Sequence, residues 1–125
     1  MTDATKSILS RAKEALETAK FSLEKGYYVS TINRSYYAAF YCVQVFLNQE
    51  RIFVKTHNGA NAKFAEYFVR TDKVDINYLR TFSYLGKIRE DYDYDYDKEA
   101  NEAVALSAIN KSIAFYDFTV TYFAE

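Results

Sequence analysis

The chain has no proline and no tryptophan, and its 125 residues include only three glycines, one cysteine and one histidine. Each shortage excludes something. Glycine at 26, 59 and 86 alone, with no proline, leaves too little turn chemistry for a sandwich or barrel and favours long helices. A single cysteine, Cys42, set in an apolar run, cannot form an internal disulfide and reads as a buried thiol in a reducing cytosol. Sixteen Lys and Arg nearly cancel seventeen Asp and Glu, for a net charge of −1, so there is no basic surplus to coat duplex DNA. Long apolar runs are missing too. The stretch from Tyr36 to Leu47 is broken by Gln44 and is too short for a bilayer, and the N-terminus lacks the pattern of a signal peptide. The expectation is one soluble, cytoplasmic domain over residues 1–125.

Aromatic residues are what the chain has in excess: thirteen tyrosines and ten phenylalanines. That is more than one small core needs, which predicts that some tyrosines face a partner, with an apolar body and a wet tip.

Periodicity predicts an all-α antiparallel up-and-down bundle of four main helices plus one short helix. Thr2 and Asp3 cap a first helix with Ile8, Ala12, Ala15, Leu16, Ala19 and Leu23 on one face, ended by Gly26. The second runs from about Tyr27 to Gln49. It buries Tyr28, Val29, Ile32, Tyr36, Ala39, Phe40, Val43 and Leu47, and a separate stripe carries Ser30, Arg34, Tyr37 and Tyr41. Residues 51–58 read as a connector, followed by a short helix over about 58–70 with Ala60, Phe64, Tyr67 and Phe68 inward. A fourth helix runs from about Asp75 towards Asp91 with Tyr78, Phe82 and Leu85 on one side, and the tract EDYDYDYDKE interrupts it. The last covers about 98–123, with Ala105, Leu106, Ile109, Ile113, Tyr116 and Val120 in one stripe. Val104, Phe115, Phe118 and Tyr122 fall outside that stripe, which predicts two neighbours for this helix.

Arg89 follows Leu85 by four residues on the apolar side of its helix. A guanidinium there has to meet a carboxylate, with Asp91 and Asp93 nearest, or clamp a phosphate, because an unpaired buried charge costs about 3–5 kcal/mol. Asn33 and Arg34, with Tyr36 and Tyr37, form a second polar group on an apolar helix. They either bond across to the Arg89 helix and its acidic tail or share one pocket with Arg89. His57 is the one side chain with an ordinary pKa near neutrality, and it suits either proton transfer or a capping role before a helix start. Counted from Asp91, carboxylates fall at positions one, three, five, seven, nine and twelve of an EF-hand-like loop, but Tyr96 stands where the turn needs glycine. A solvated acidic loop is therefore expected, with no metal and no cofactor.

Four ordered pieces carry a family resemblance: Gly26-Tyr27-Tyr28, the run Asn33-Arg34-Ser35-Tyr36-Tyr37-Ala38-Ala39-Phe40, Lys55-Thr56-His57-Asn58-Gly59, and Arg89-Glu90-Asp91-Tyr92-Asp93. Together they resemble small prokaryotic HEPN-domain proteins. The resemblance implies a helical bundle that dimerises and works with a separate minimal nucleotidyltransferase, in a toxin–antitoxin module or as a substrate-binding subunit. It implies nucleotide or RNA phosphate bound near Asn33, Arg34, Tyr37 and Arg89, with Tyr36, Asp91 and Tyr92 shaping the site. Many members are metal-independent ribonucleases with an arginine followed roughly four to six residues later by a histidine. Here Arg89 takes the arginine position, and Glu90 to Asp97 supply no histidine; Arg51 and His57 have the spacing, but in the connector after the second helix. An endoribonuclease would need His57 to join Arg89 as the catalytic pair, and a non-catalytic assembly scaffold is the third reading. If a partner modifies the chain, the resemblance implies Tyr92, Tyr94 or Tyr96 as acceptor.

Overall fold

A computed structural model describes residues 1–124. Helix α1 spans Asp3–Glu24, α2 Tyr28–Gln49, α3 His57–Phe64, α4 Ile76–Tyr94 and α5 Glu102–Tyr122. A π-helical turn, Ala65–Val69, extends α3. Over the described residues the architecture is all-α, as expected, with four long helices and one short one. The central helix is α2, which packs against each of the others.

Local chemistry sets the ends. Thr2 Oγ1 accepts from the Thr5 amide at 3.2 Å to open α1. At the other end Gly26 takes φ +75°, and the Tyr27 and Gly26 amides return to the carbonyls of Ser22 and Leu23, closing the helix in a Schellman turn. The resulting three-residue link folds α2 back along α1. Small residues on α2 (Ser35, Ala38, Ala39, Cys42) are fully buried, which lets neighbouring helices approach closely. Ser112 of α5 donates to the Ser35 carbonyl at 2.6 Å across that contact. Burial pushes the Cys42 thiol up to about 12, as an inert core thiol requires.

Several boundaries and faces differ from the sequence expectation. Helix α4 continues through the first part of the acidic tract to Tyr94, because Asp93 is held by Arg89 one turn earlier and by Asn33 of α2. The last helix starts at Glu102, where Asn101 Oδ1 accepts from the Val104 amide at 2.9 Å. Its buried face is Ala105, Ala108, Ile109, Ser112, Phe115 and Thr119, while Leu106 and Val120 are 44% and 41% exposed. Hydrophobicity misled here because Ser112 and Thr119 satisfy their hydroxyls on carbonyls and so enter the core. The aromatic side of α5 is covered only in part within the chain: Phe118 stacks on Tyr78 at 3.9 Å between centroids and Phe115 lies against Phe64, while Tyr122 stays 39% exposed. Tyr67 turns outward because the π turn adds a residue to its revolution, leaving Phe68 inside. Val29, expected in the core, is exposed beside the Gly26 turn.

Candidate functional site

A cleft of about 910 Å³ opens between α3 and α4, with α2 behind it. Tyr36 and Phe82 form its apolar back, Arg89 and His57 its polar centre, and Lys55 and Lys87 its cationic rim. The connector that delivers His57 is tied to α2 by Gln44 Nε2 donating to the Val54 carbonyl at 3.1 Å. Thr56 then caps α3 through the Gly59 amide, so His57 is the first residue of a helix rather than part of a loop. The amides of His57 and Asn58 belong to the first turn, where no intrahelical acceptor exists, and that end of α3 carries the positive pole of the helix.

Arg89 lies at the bottom of this cleft, its side chain 11% exposed. Its Nη1 approaches Asp93 Oδ2 at 3.7 Å, so Asp93, not Asp91, is the carboxylate it meets. Asp91 faces Lys98 instead, also at 3.7 Å. The guanidinium carbon sits 5.0 Å above the Tyr36 ring and 5.9 Å from the centre of Tyr37. Arg89 Nε is buried and has no acceptor in the protein.

His57 packs edge-on against Phe40 and Tyr36, with centroids 4.8 and 5.1 Å away, and its Nδ1 is hydrogen-bonded to Tyr36 Oη. Its pKa is lowered, first by burial and then by the Arg89 charge, with Glu90 opposing. Burial also raises the Tyr36 hydroxyl far above its ordinary range, the Arg89 charge opposing, so the phenol keeps its proton.

The two polar groups foreseen in the sequence touch without sharing a pocket. Asn33 Nδ2 donates to Asp93 Oδ2 at 2.9 Å, while Asn33 Oδ1 accepts from Arg34 Nε and Nη2 at 3.0 and 2.8 Å. Asp93 thereby links both arginines, but Arg34 opens into a smaller groove of about 350 Å³ beside Thr18, Ser22 and Ser30. The Tyr37 ring is in cation–π contact with both guanidinium groups, Arg34 at 4.9 Å. Of the three tract tyrosines, Tyr94 lines the main cleft and is 70% exposed, Tyr96 is 91% exposed in the following turn, and Tyr92 lies under Lys98 at 5.0 Å. Among the described residues no group of His, Cys, Asp and Glu is arranged to hold a metal ion. Among the described residues no helix is long and apolar enough to cross a membrane.

Sequence reasoning did not single out Lys87, Ser83, Asn61 or Gly86 as site residues. Stepping back from Arg89 by three and six residues reaches Gly86 and Ser83, so the helical period held part of the signal. Asn61 follows from no such rule; it joins the wall by donating to Ser83 Oγ at 2.7 Å.

Comparison with known proteins concerns the chain as a whole. The HEPN domain family model matches residues 5–121. A UPF0332 protein of Thermotoga maritima is 33% identical over 107 residues, covering 86% of this chain and 81% of the relative. A Methanocaldococcus jannaschii protein named "Putative toxin MJ0142" is 26% identical over 115 residues, covering 92% and 78%. A UPF0332 protein of Gloeobacter violaceus is 23% identical across the full length of both. With an all-α bundle and a family match running from the first helix into the last, the chain belongs to the HEPN-domain family.

Proposed function

We propose that this protein binds the phosphate of a nucleotide or RNA in the α3–α4 cleft. The observation that carries the reading is Arg89: a nearly buried guanidinium whose Nε lacks a protein acceptor and which shares a cleft with His57, Lys55 and Lys87. A buried donor without a partner costs roughly 1–3 kcal/mol, and a phosphate oxygen would satisfy it. The free amides at the start of α3 add donors of the same sign. Asn33, Arg34 and Tyr37 act from behind, through Asp93 and the stacked ring, by holding Arg89 in place.

The reading includes a homodimer in the cytoplasm, working with a separately encoded minimal nucleotidyltransferase in a toxin–antitoxin-like module; the name of the Methanocaldococcus relative is in keeping with it. If the partner transfers a nucleotidyl group to this chain, Tyr94 is the favoured acceptor among Tyr92, Tyr94 and Tyr96, since it is exposed and lines the cleft. Titration with adenosine monophosphate tests the binding: wild type is expected to bind and Arg89→Ala to lose at least tenfold in affinity with an unchanged circular dichroism spectrum. Equal binding by both proteins, or none by wild type, would sink the reading. Light scattering tests the dimer, which has to weigh about twice the 14.6 kDa chain.

A second reading, metal-independent endoribonuclease, draws on one fact: His57 and Arg89 line the same cleft despite standing far apart in sequence. Cleavage of single-stranded RNA in a metal chelator, abolished by His57→Ala and by Arg89→Ala alike, is what that reading demands.

A further inference from the structure

Tyr36 touches both polar members of the cleft at once. Its hydroxyl meets His57 Nδ1, and its ring face carries the Arg89 guanidinium. Near-parallel Phe40 and Phe82 pack against the ring at 6.2 and 5.7 Å between centroids, and against each other at 6.2 Å, so the three rings form one cluster. Gly86 closes the edge: a Cβ there would stand 3.2 Å from Tyr36 Cε1.

The direction of the tyrosine–histidine bond follows from its surroundings. A phenol can donate to an imidazole or accept from it. Tyr36 is 1% exposed, and Nδ1 is the acceptor within reach of its hydroxyl hydrogen. If Tyr36 accepted instead, that hydrogen would be stranded in the interior. His57 also faces the Arg89 and Glu90 charges of α4, and Lys55 and Lys87 line the same cleft. Glu90 and Asp91 line the cleft as well, against those three cations, but burial of the ring and the Arg89 charge both disfavour the imidazolium, so the ring stays neutral near pH 7. Tyr36 therefore donates to Nδ1, and the imidazole carries its own hydrogen on Nε2.

We propose that Tyr36 is the positioning residue of the cleft: its hydroxyl fixes His57 as the tautomer that donates from Nε2, and its ring face aims Arg89. This rests on the phosphate-binding reading and says how the site is organised for it. A histidine held in this way offers a phosphate oxygen a hydrogen-bond donor; it has no Nε2 lone pair with which to take a proton from a substrate hydroxyl.

The chain has one histidine, so the nitrogen spectrum of protein labelled with ¹⁵N-histidine contains a single imidazole. In wild type at neutral pH the protonated nitrogen is expected at Nε2 and the unprotonated one at Nδ1, with inorganic phosphate shifting the Nε2 signal. Tyr36→Phe keeps the ring under Arg89 but removes the donor. Its His57 is expected to titrate at higher pH than in wild type, and phosphate to bind about fivefold more weakly, the scale of one hydrogen bond. A wild-type spectrum with the hydrogen on Nδ1 overturns the proposal, and so does a Tyr36→Phe protein with unchanged titration and phosphate affinity. Should Tyr36→Phe fail to fold, the wild-type spectrum still decides the tautomer. If wild type binds no phosphate at all, the phosphate-binding reading itself fails, whatever the tautomer, and the positioning role fails with it.

Discussion

At the scale of single residues, the cleft sets its members against their own preferences. Arg89 gives up most of its water for one long ion pair and two aromatic faces, and its Nε is left without an acceptor. Such a residue contributes less to stability than its burial suggests, because the desolvation cost offsets the attraction. Arg89→Met, which keeps the apolar stem, is therefore expected to change the unfolding free energy read from urea melts little, by about 1 kcal/mol or less, while removing phosphate binding. A loss of stability several times larger would mean that the arginine is structural. His57 supplies a pH signature. Its pKa is lowered in the folded state, chiefly by burial, so the unfolded chain takes up the proton first as pH falls. Its contribution is fully present above the unfolded value of about 6.5 and declines as pH drops through and below it. Urea melts at pH 7.5 and 5.5 should show lower stability at the acid end, and His57→Gln should reduce that difference.

At the scale of elements, the helices are held at their ends by a few identifiable groups. Gly26 adopts a left-handed conformation, and a Cβ there would meet no atom within 4 Å, so the cost of Gly26→Ala is backbone strain alone, about 1 kcal/mol. Asn101→Ala removes the cap of α5 and is expected to cost about 1 kcal/mol, read from a thermal melt. The orientation of α5 gives a sharper contrast. Ser112→Val loses a bonded hydroxyl at a close helix contact and is expected to destabilise by about 1–3 kcal/mol, whereas Leu106→Ser on the exposed side should stay within about 0.5 kcal/mol. The reverse order would mean that the pattern of apolar residues, and not the packing, had the face right.

At the scale of the whole molecule, α2 is both the centre of the bundle and the back wall of the site. One turn of it supplies Asn33, which holds Asp93, and Tyr36, which meets His57 and Arg89. Packing and site are thus coupled, and Phe82 belongs to both, as a buried core residue stacked on Tyr36. Phe82→Ala should open a cavity costing about 3–5 kcal/mol and loosen Tyr36, so a phosphate titration of the still-folded fraction should be weakened as well. Binding at full strength in a destabilised Phe82→Ala protein would show that the stack matters only to the core.

The amino-acid sequence by itself determined the helix count, the Thr2 and Gly26 ends, most of the α1 and α2 core, and the unusual status of Arg89. These are local properties: a 3.6-residue period, a cap, a glycine, a charge among apolar neighbours. It also identified Asp93 as one of two carboxylates within reach of Arg89, because both lie within a helical turn or so of it. What the sequence left open was whether α4 continues past Asp91: once it does, Asp93 stands one turn after Arg89 on the same face and Asp91 does not, and Asn33 reaching Asp93 from α2, with Lys98 beside Asp91, holds that arrangement. The buried face of α5 was likewise hidden, because serine and threonine enter a core only where a particular carbonyl awaits them. The meeting of His57 with Tyr36 and Arg89 joins three elements separated along the chain, and its geometry is set by how α3 and α4 pack on α2, a relation that no periodicity within one helix encodes.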